Sequence, residues 1–148
     1  MAIVPRVILA AVSFSAASRV ALALAALLAQ QYGAELHVLH VEDPLLDAAA
    51  AYLGFDLIGD TQAQLLQFIA DVWPSSVMPP QPHVIVGPTV DVILDVARDA
   101  RADLVVVGAC GLSNVERLVF TAMPDELLKR ANVSVLVAPA DAMLLERN

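Results

Sequence analysis

The sequence predicts an α/β fold on a mostly parallel sheet, from three observations. Short β-branched runs alternate with longer segments of helical periodicity, the pattern of βαβ units. The run Val105-Val106-Val107 has no polar face, as in a strand buried on both sides. It ends on Gly108 and Gly111, three residues apart, where a chain can turn tightly and bring backbone N–H groups close to a ligand. The hydrophobic fraction of 59% exceeds the roughly 45–50% usual for soluble domains, which suits a sheet covered on both faces or an oligomer interface.

The elements follow in order. Residues 7–12 form strand one. Ser15 caps helix one, which runs to about Tyr32 with Val20, Leu24, Leu27 and Leu28 on its apolar face, and Gly33 closes it. Residues 35–41 form strand two, ended by Glu42-Asp43-Pro44. Residues 45–59 read as a loop with one short helical turn. Helix two covers 61–73, with Leu65, Phe68, Ile69 and Val72 aligned. Pro74, Pro79, Pro80 and Pro82 break the chain before strand three at 83–86. Thr89 is a candidate cap for helix three, 90–100, with Val92, Ile93, Val96 and Ala97 inward. Strand four spans 103–107, helix four 121–131 and strand five 133–137, and the tail from Ala138 is irregular. At 148 residues, without repeats or a long linker, a single domain over 1–148 is expected.

Composition narrows the function. The net charge is −8, from 16 acidic and 8 basic residues, and the longest basic run is Lys129-Arg130. Nucleic acid and anionic membrane surfaces are poor partners for such a chain. The longest apolar run, residues 20–29, is well short of the roughly 18 residues that span a bilayer. No export signal is read at the N-terminus. Cys110 is the only cysteine, which suits a reducing compartment, and a cytoplasmic location is expected.

Ordered segments along nearly the whole chain resemble the universal stress protein family. They are Val7-Ile8-Leu9-Ala10-Ala11-Val12-Ser13-Phe14-Ser15, Leu36-His37-Val38-Leu39-His40-Val41, Val84-Ile85-Val86-Gly87-Pro88, Ala102-Asp103-Leu104-Val105-Val106-Val107-Gly108 and Val133-Ser134-Val135-Leu136-Val137. The resemblance implies a Rossmann-like, five-stranded parallel sheet in order 3-2-1-4-5 with helices on both faces. It also implies a homodimer paired through the last strand, Val133 to Val137, and a ligand crevice between strands one and four.

Family members that bind ATP carry Gly-x-x-Gly, nine residues, then Gly-Ser or Gly-Thr. Here Gly108 and Gly111 match and nine residues follow, but the next pair is Thr121-Ala122. Those members also place an aspartate after strand one, where this chain has Ser13, and a valine at the end of strand two, matched by Val41. The resemblance thus assigns Ala11, Ser13, Val41, Gly108, Gly111, Thr121, Ala122 and Met123 to the nucleotide site. A β-branched residue at a left-handed position costs about 1–2 kcal/mol. A missing hydroxyl bond to a charged phosphate costs roughly 1.5–3 kcal/mol. Together with the lost charge at Ser13, the deficit is about 3–5 kcal/mol, or roughly 10² to 10³ or more in affinity. Asp125 and Glu126 already use the positive end of helix four and repel phosphate.

Other chemistry reads as structural. Offset three on a strand puts His37 and His40 on opposite faces, so they cannot share a metal. His83 reads as solvated and Cys110 as a small loop filler. Adjacent Glu42 and Asp43 diverge and form a polar strand end. Phe55, Phe68 and Trp73 read as core. No Gly-x-Ser-x-Gly, Walker A or Gly-x-Gly-x-x-Gly motif is present. The expectation is a non-catalytic, homodimeric stress-response or regulatory protein that acts through an unidentified protein partner and binds no cofactor well. The alternative is a nucleotide-linked switch that binds ATP or AMP.

Overall fold

Five short parallel strands form one sheet in the order β3-β2-β1-β4-β5. The computed structural model describes residues 4–73, 79–109 and 122–139. In chain order the elements are β1 (Val7–Ala11), α1 (Ala16–Tyr32), β2 (Glu35–Glu42), α2 (Pro44–Tyr52), α3 (Leu57–Val72), β3 (Gln81–Val86), α4 (Thr89–Ala100), β4 (Leu104–Gly108), α5 (Ala122–Arg130) and β5 (Ser134–Ala138). Ala10 pairs with Val38 of β2 on one side and with Val106 of β4 on the other. Alternate residues of the central strands feed two cores. Ile8, Ala10, Val38 and Val106 pack against α1 and α3; Leu9, Leu39, Val105 and Val107 pack against α4 and α5. This double burial is why the strands read as continuous apolar runs.

Helix α1 starts on Ser15, whose hydroxyl accepts a hydrogen bond from the Ser18 amide at 3.1 Å, and ends on Gly33 in the left-handed region at φ 65°. Its buried side is not the expected row of large residues. Ala17, Ala21, Ala25 and Ala29 face the sheet with Val20 and Leu22, while Leu27 is exposed and Leu24 and Leu28 are half-buried. A ridge of alanines lets the helix axis approach the sheet more closely than leucines would permit. That approach constrains Gly108 at the end of β4. A Cβ there would lie 2.6 Å from the Ala17 carbonyl carbon and 2.7 Å from the Ser18 amide nitrogen.

Several expectations are corrected. Residues 45–59 are mostly helical: α2 is a full nine-residue helix, and α3 begins at Leu57 rather than Thr61. Glu42 and Asp43 are more than a polar strand end. The Asp43 carboxylate caps α2, accepting from the Leu45 amide at 2.7 Å, with Pro44 in the first turn. Glu42 is buried and accepts from the Thr61 hydroxyl at 2.9 Å, tying the end of β2 to α3. Pro88, not Thr89, occupies the cap position of α4, with no side-chain capping bond. Phe55 is exposed, whereas Phe68 is buried. β3 starts at Gln81, and β5 runs one residue later than read, so Ala138 closes the strand and is buried. Expectations for Cys110 and for residues 140–148 lie outside the described residues.

His83 is likewise not simply solvated. Its Nε2 lies 2.9 Å from Nδ1 of buried His37, and the rings stack at 5.2 Å. The other His37 nitrogen meets Glu35 Oε1 at 2.8 Å, and the Gln81 amide donates to the same oxygen at 2.9 Å. A nitrogen–nitrogen hydrogen bond needs one lone pair, so the pair cannot hold two charges and keep this geometry. Burial first, and then repulsion from His37, holds His83 below its ordinary value. With the folded value depressed, the neutral form stabilises the fold above the unfolded pKa. That contribution is lost as pH falls through the folded value. The melting temperature is therefore expected to be level near pH 7–8 and to decline as pH drops below about 6.5. H83Q should flatten that decline. An unchanged slope in the variant would remove this pair as its source.

Candidate functional site

The order of strands reverses between β1 and β4, and in parallel sheets ligands bind beyond the C-terminal strand ends at such a point. The structure has a crevice there. Ala11, Ser13, Val41, Gly108 and Met123, five of the eight residues assigned from sequence, all line it. Ala122 opens α5, whereas Gly111 and Thr121 lie outside the described residues. The crevice walls also include Val12, Ser18, Leu39, His40, Thr89 and Ile93, which the motif did not assign to the site. Residues at strand ends and helix starts carry no motif of their own. They meet only because parallel strands deliver all their C-terminal ends to one edge.

The β1–α1 turn is an internally bonded hydroxyl cluster. The Ser13 amide donates to Ser18 Oγ at 2.8 Å, and the Ser13 hydroxyl lies 3.1 Å from Ser18 Oγ and 3.3 Å from Ser15 Oγ. Phe14 sits in the left-handed region at φ 64°. That conformation costs about 1–2 kcal/mol. Its ring packs on His40 at 4.6 Å and edge-on against Phe68 at 5.5 Å, contacts that hold the turn in place. His40 in turn bonds the Val12 carbonyl through Nδ1 at 2.8 Å, with Nε2 3.7 Å from Glu42. His37 and His40 stand on opposite faces, as their spacing requires. Among the described residues no group of three or more His, Cys, Asp or Glu side chains is placed to hold a metal ion.

The electrostatics suit a neutral ligand better than a polyanion. No lysine or arginine is among the described residues lining the crevice, and Asp125 lies in the first turn of α5. The crevice is open to one side and its volume is about 130 Å³, under the roughly 300–1,000 Å³ of typical small-molecule sites. A larger groove of about 580 Å³ lies at the other end of the strands, beside Arg98, Arg101 and Arg130. Arg98 pairs with Asp95 at 3.1 Å, and Arg130 with Glu126 at 3.0 Å and with Asp91, so this groove is largely self-neutralised.

Comparison with known proteins agrees with this architecture. A universal stress protein from Mycobacterium tuberculosis (strain H37Rv) is 40% identical over 53 residues, 36% of this chain and 36% of that protein. The aligned part therefore spans about a third of the relative. The structure of the universal stress protein UspA from Lactobacillus plantarum superposes with a TM-score of 0.76 at 24% identity, covering 93% of this chain and 99% of that one. A universal stress protein in complex with cAMP gives 0.70 at 22% identity, covering 94% and 100%. One from Archaeoglobus fulgidus in complex with dAMP gives 0.60 at 20%, covering 92% and 99%. The model of the universal stress protein family matches residues 5–139, and the chain belongs to that family.

Proposed function

We propose that the protein is a non-catalytic, cytoplasmic, homodimeric stress-response protein that binds ATP poorly and acts through contacts with a protein partner. The observation that carries this reading is the commitment of Gly108. In the ATP-binding pattern its bare backbone would face phosphate; here the close approach of α1 by itself requires glycine. The cation-free crevice, the bonded Ser13 hydroxyl and the Thr121-Ala122 pair add to it. No nucleophile paired with a base lines the crevice among the described residues, which supports a non-enzymatic role. The dimer would use β5, which stands at the sheet edge with Ser134 and Leu136 exposed.

Calorimetry of the purified protein with Mg²⁺ and ATP tests the reading. No heat at millimolar ATP is expected, and micromolar binding overturns it. A second reading is supported by the neighbours crystallised with cAMP and dAMP. The crevice would then take an AMP-type nucleotide, seated on Ala11, Ser13 and Val41 and needing no triphosphate cradle. Micromolar heat with AMP or cAMP, and none with ATP, would favour it.

A further inference from the structure

Helix α2 buries none of its residues. Leu45, Ala49, Tyr52 and Leu53, at helical spacing, all face outward, with Leu45 80% and Tyr52 91% exposed. Leu46 and Phe55 extend the same surface. The helix is nonetheless well built, capped by Asp43 and opened by Pro44, and its main contact is with α3. Monomeric proteins seldom leave contiguous apolar patches above about 300–600 Å² uncovered. Two aromatics of roughly 150–250 Å² each and three leucines are enough to reach that range. A helix with a start signal, an apolar stripe and no buried face is shaped to be covered by something else.

Charge identifies the cover. Between Arg19 and Arg98 the chain has no lysine or arginine, yet it carries nine acidic residues. Four of them, Asp43, Asp47, Asp56 and Asp60, lie on α2, at its start or just beyond it, and all but Asp47 are exposed. The segment 43–60 thus presents exposed apolar side chains and carries only acidic charges. A second copy laid face to face would set these aspartates against their equivalents, and an anionic membrane would be repelled. A segment with an apolar stripe between lysines or arginines satisfies both the apolar side chains and the acidic charges.

We propose that α2 and the turn through Phe55 form a docking surface for a basic amphipathic helix of a partner protein. The inference rests on the reading that this protein works through protein contacts, and it supplies the surface and the chemistry of the contact. Tyr52 and Phe55 are the anchors, and the aspartates set the orientation and speed the encounter.

The probe is a fluorescent synthetic helix of leucine and lysine, amphipathic and about five turns long, titrated with the full chain and followed by anisotropy. Micromolar binding that weakens with salt is expected. The triple variant Leu45→Ser, Tyr52→Ser, Phe55→Ser should bind about tenfold or more weakly. These side chains are exposed, so its melting temperature should match that of the parent. Asp56→Asn with Asp60→Asn should weaken binding at low salt and reduce the salt dependence. The proposal is overturned if a scrambled peptide of the same composition, or a leucine–glutamate helix, binds equally well, or if the triple variant binds as the parent does. Self-association abolished by the triple variant would instead make the surface an interface between copies. Binding to phosphatidylglycerol vesicles through the same residues would make it a lipid contact. ATP calorimetry on both proteins separates the two failures. Micromolar ATP binding sinks the functional reading whatever the peptide does, and α2-independent peptide binding sinks only the docking surface.

Discussion

Gly108→Ala is expected to lower the melting temperature more than any other single methyl-sized change in the crevice. The added Cβ meets main-chain atoms of Ala17 and Ser18 at 2.6–2.8 Å, below any tolerable contact. Neither side can yield by rotating a side chain. β4 is held between β1 and β5, and α1 is packed along the sheet by its alanine ridge. Overpacking of this kind costs about 1–3 kcal/mol, occasionally more. At roughly 2–4 °C per kcal/mol for a domain near this size, the loss is about 2–12 °C. Ala17→Gly should not rescue it, because the atoms struck are backbone. A thermal melt followed by circular dichroism decides the matter. An unchanged midpoint would mean that α1 slides off β4 freely, and Gly108 would again be available for a ligand role.

The largest functional effect is expected from rebuilding the ATP motif. Thr121→Gly with Ala122→Ser restores the Gly-Ser pair at the spacing of the ATP-binding members, and Ser13→Asp adds the missing carboxylate. If the crevice is only degraded, the set should tighten ATP binding by about 10² to 10³. Most of that gain would come from placing glycine and serine where the ATP-binding pattern has them, the serine adding a hydrogen bond to charged phosphate. Calorimetry of the double and triple variants is the check. No gain in either would show that the register of Gly108 and Gly111 against Thr121 differs from the family's, and that more than three side chains separate this crevice from an ATP site.

Legibility from sequence followed the range of the interactions involved. Ser15 and Gly33 were readable as caps because capping depends on residues within a few positions of one another. The strands were readable because burial on both faces leaves a run such as Val105-Val106-Val107 with no polar residue. Asp43-Pro44 is a helix-start signal that also looks like a strand stop, which masks it. An aspartate cap with proline in the first turn, followed by a helix-forming stretch, would have located α2. The buried side of α1 could not be chosen from the sequence. Hydrophobic scales weight Leu24, Leu27 and Leu28 above alanine, whereas the sheet selected the side that permits the closer approach.

The same division runs through the candidate site. The order of apolar runs and glycines was enough for the family, the parallel sheet and the location of the crevice, because strand type and crossover handedness follow from local pattern and chain chirality. Whether Gly108 serves a ligand or a helix, that the Ser13 hydroxyl is held by Ser15 and Ser18, that His37 meets His83 at hydrogen-bond distance, and that α2 turns its leucines outward were matters of tertiary contact. Each depends on residues brought together from distant parts of the chain or on which side of an element the packing leaves uncovered, and a linear pattern holds neither.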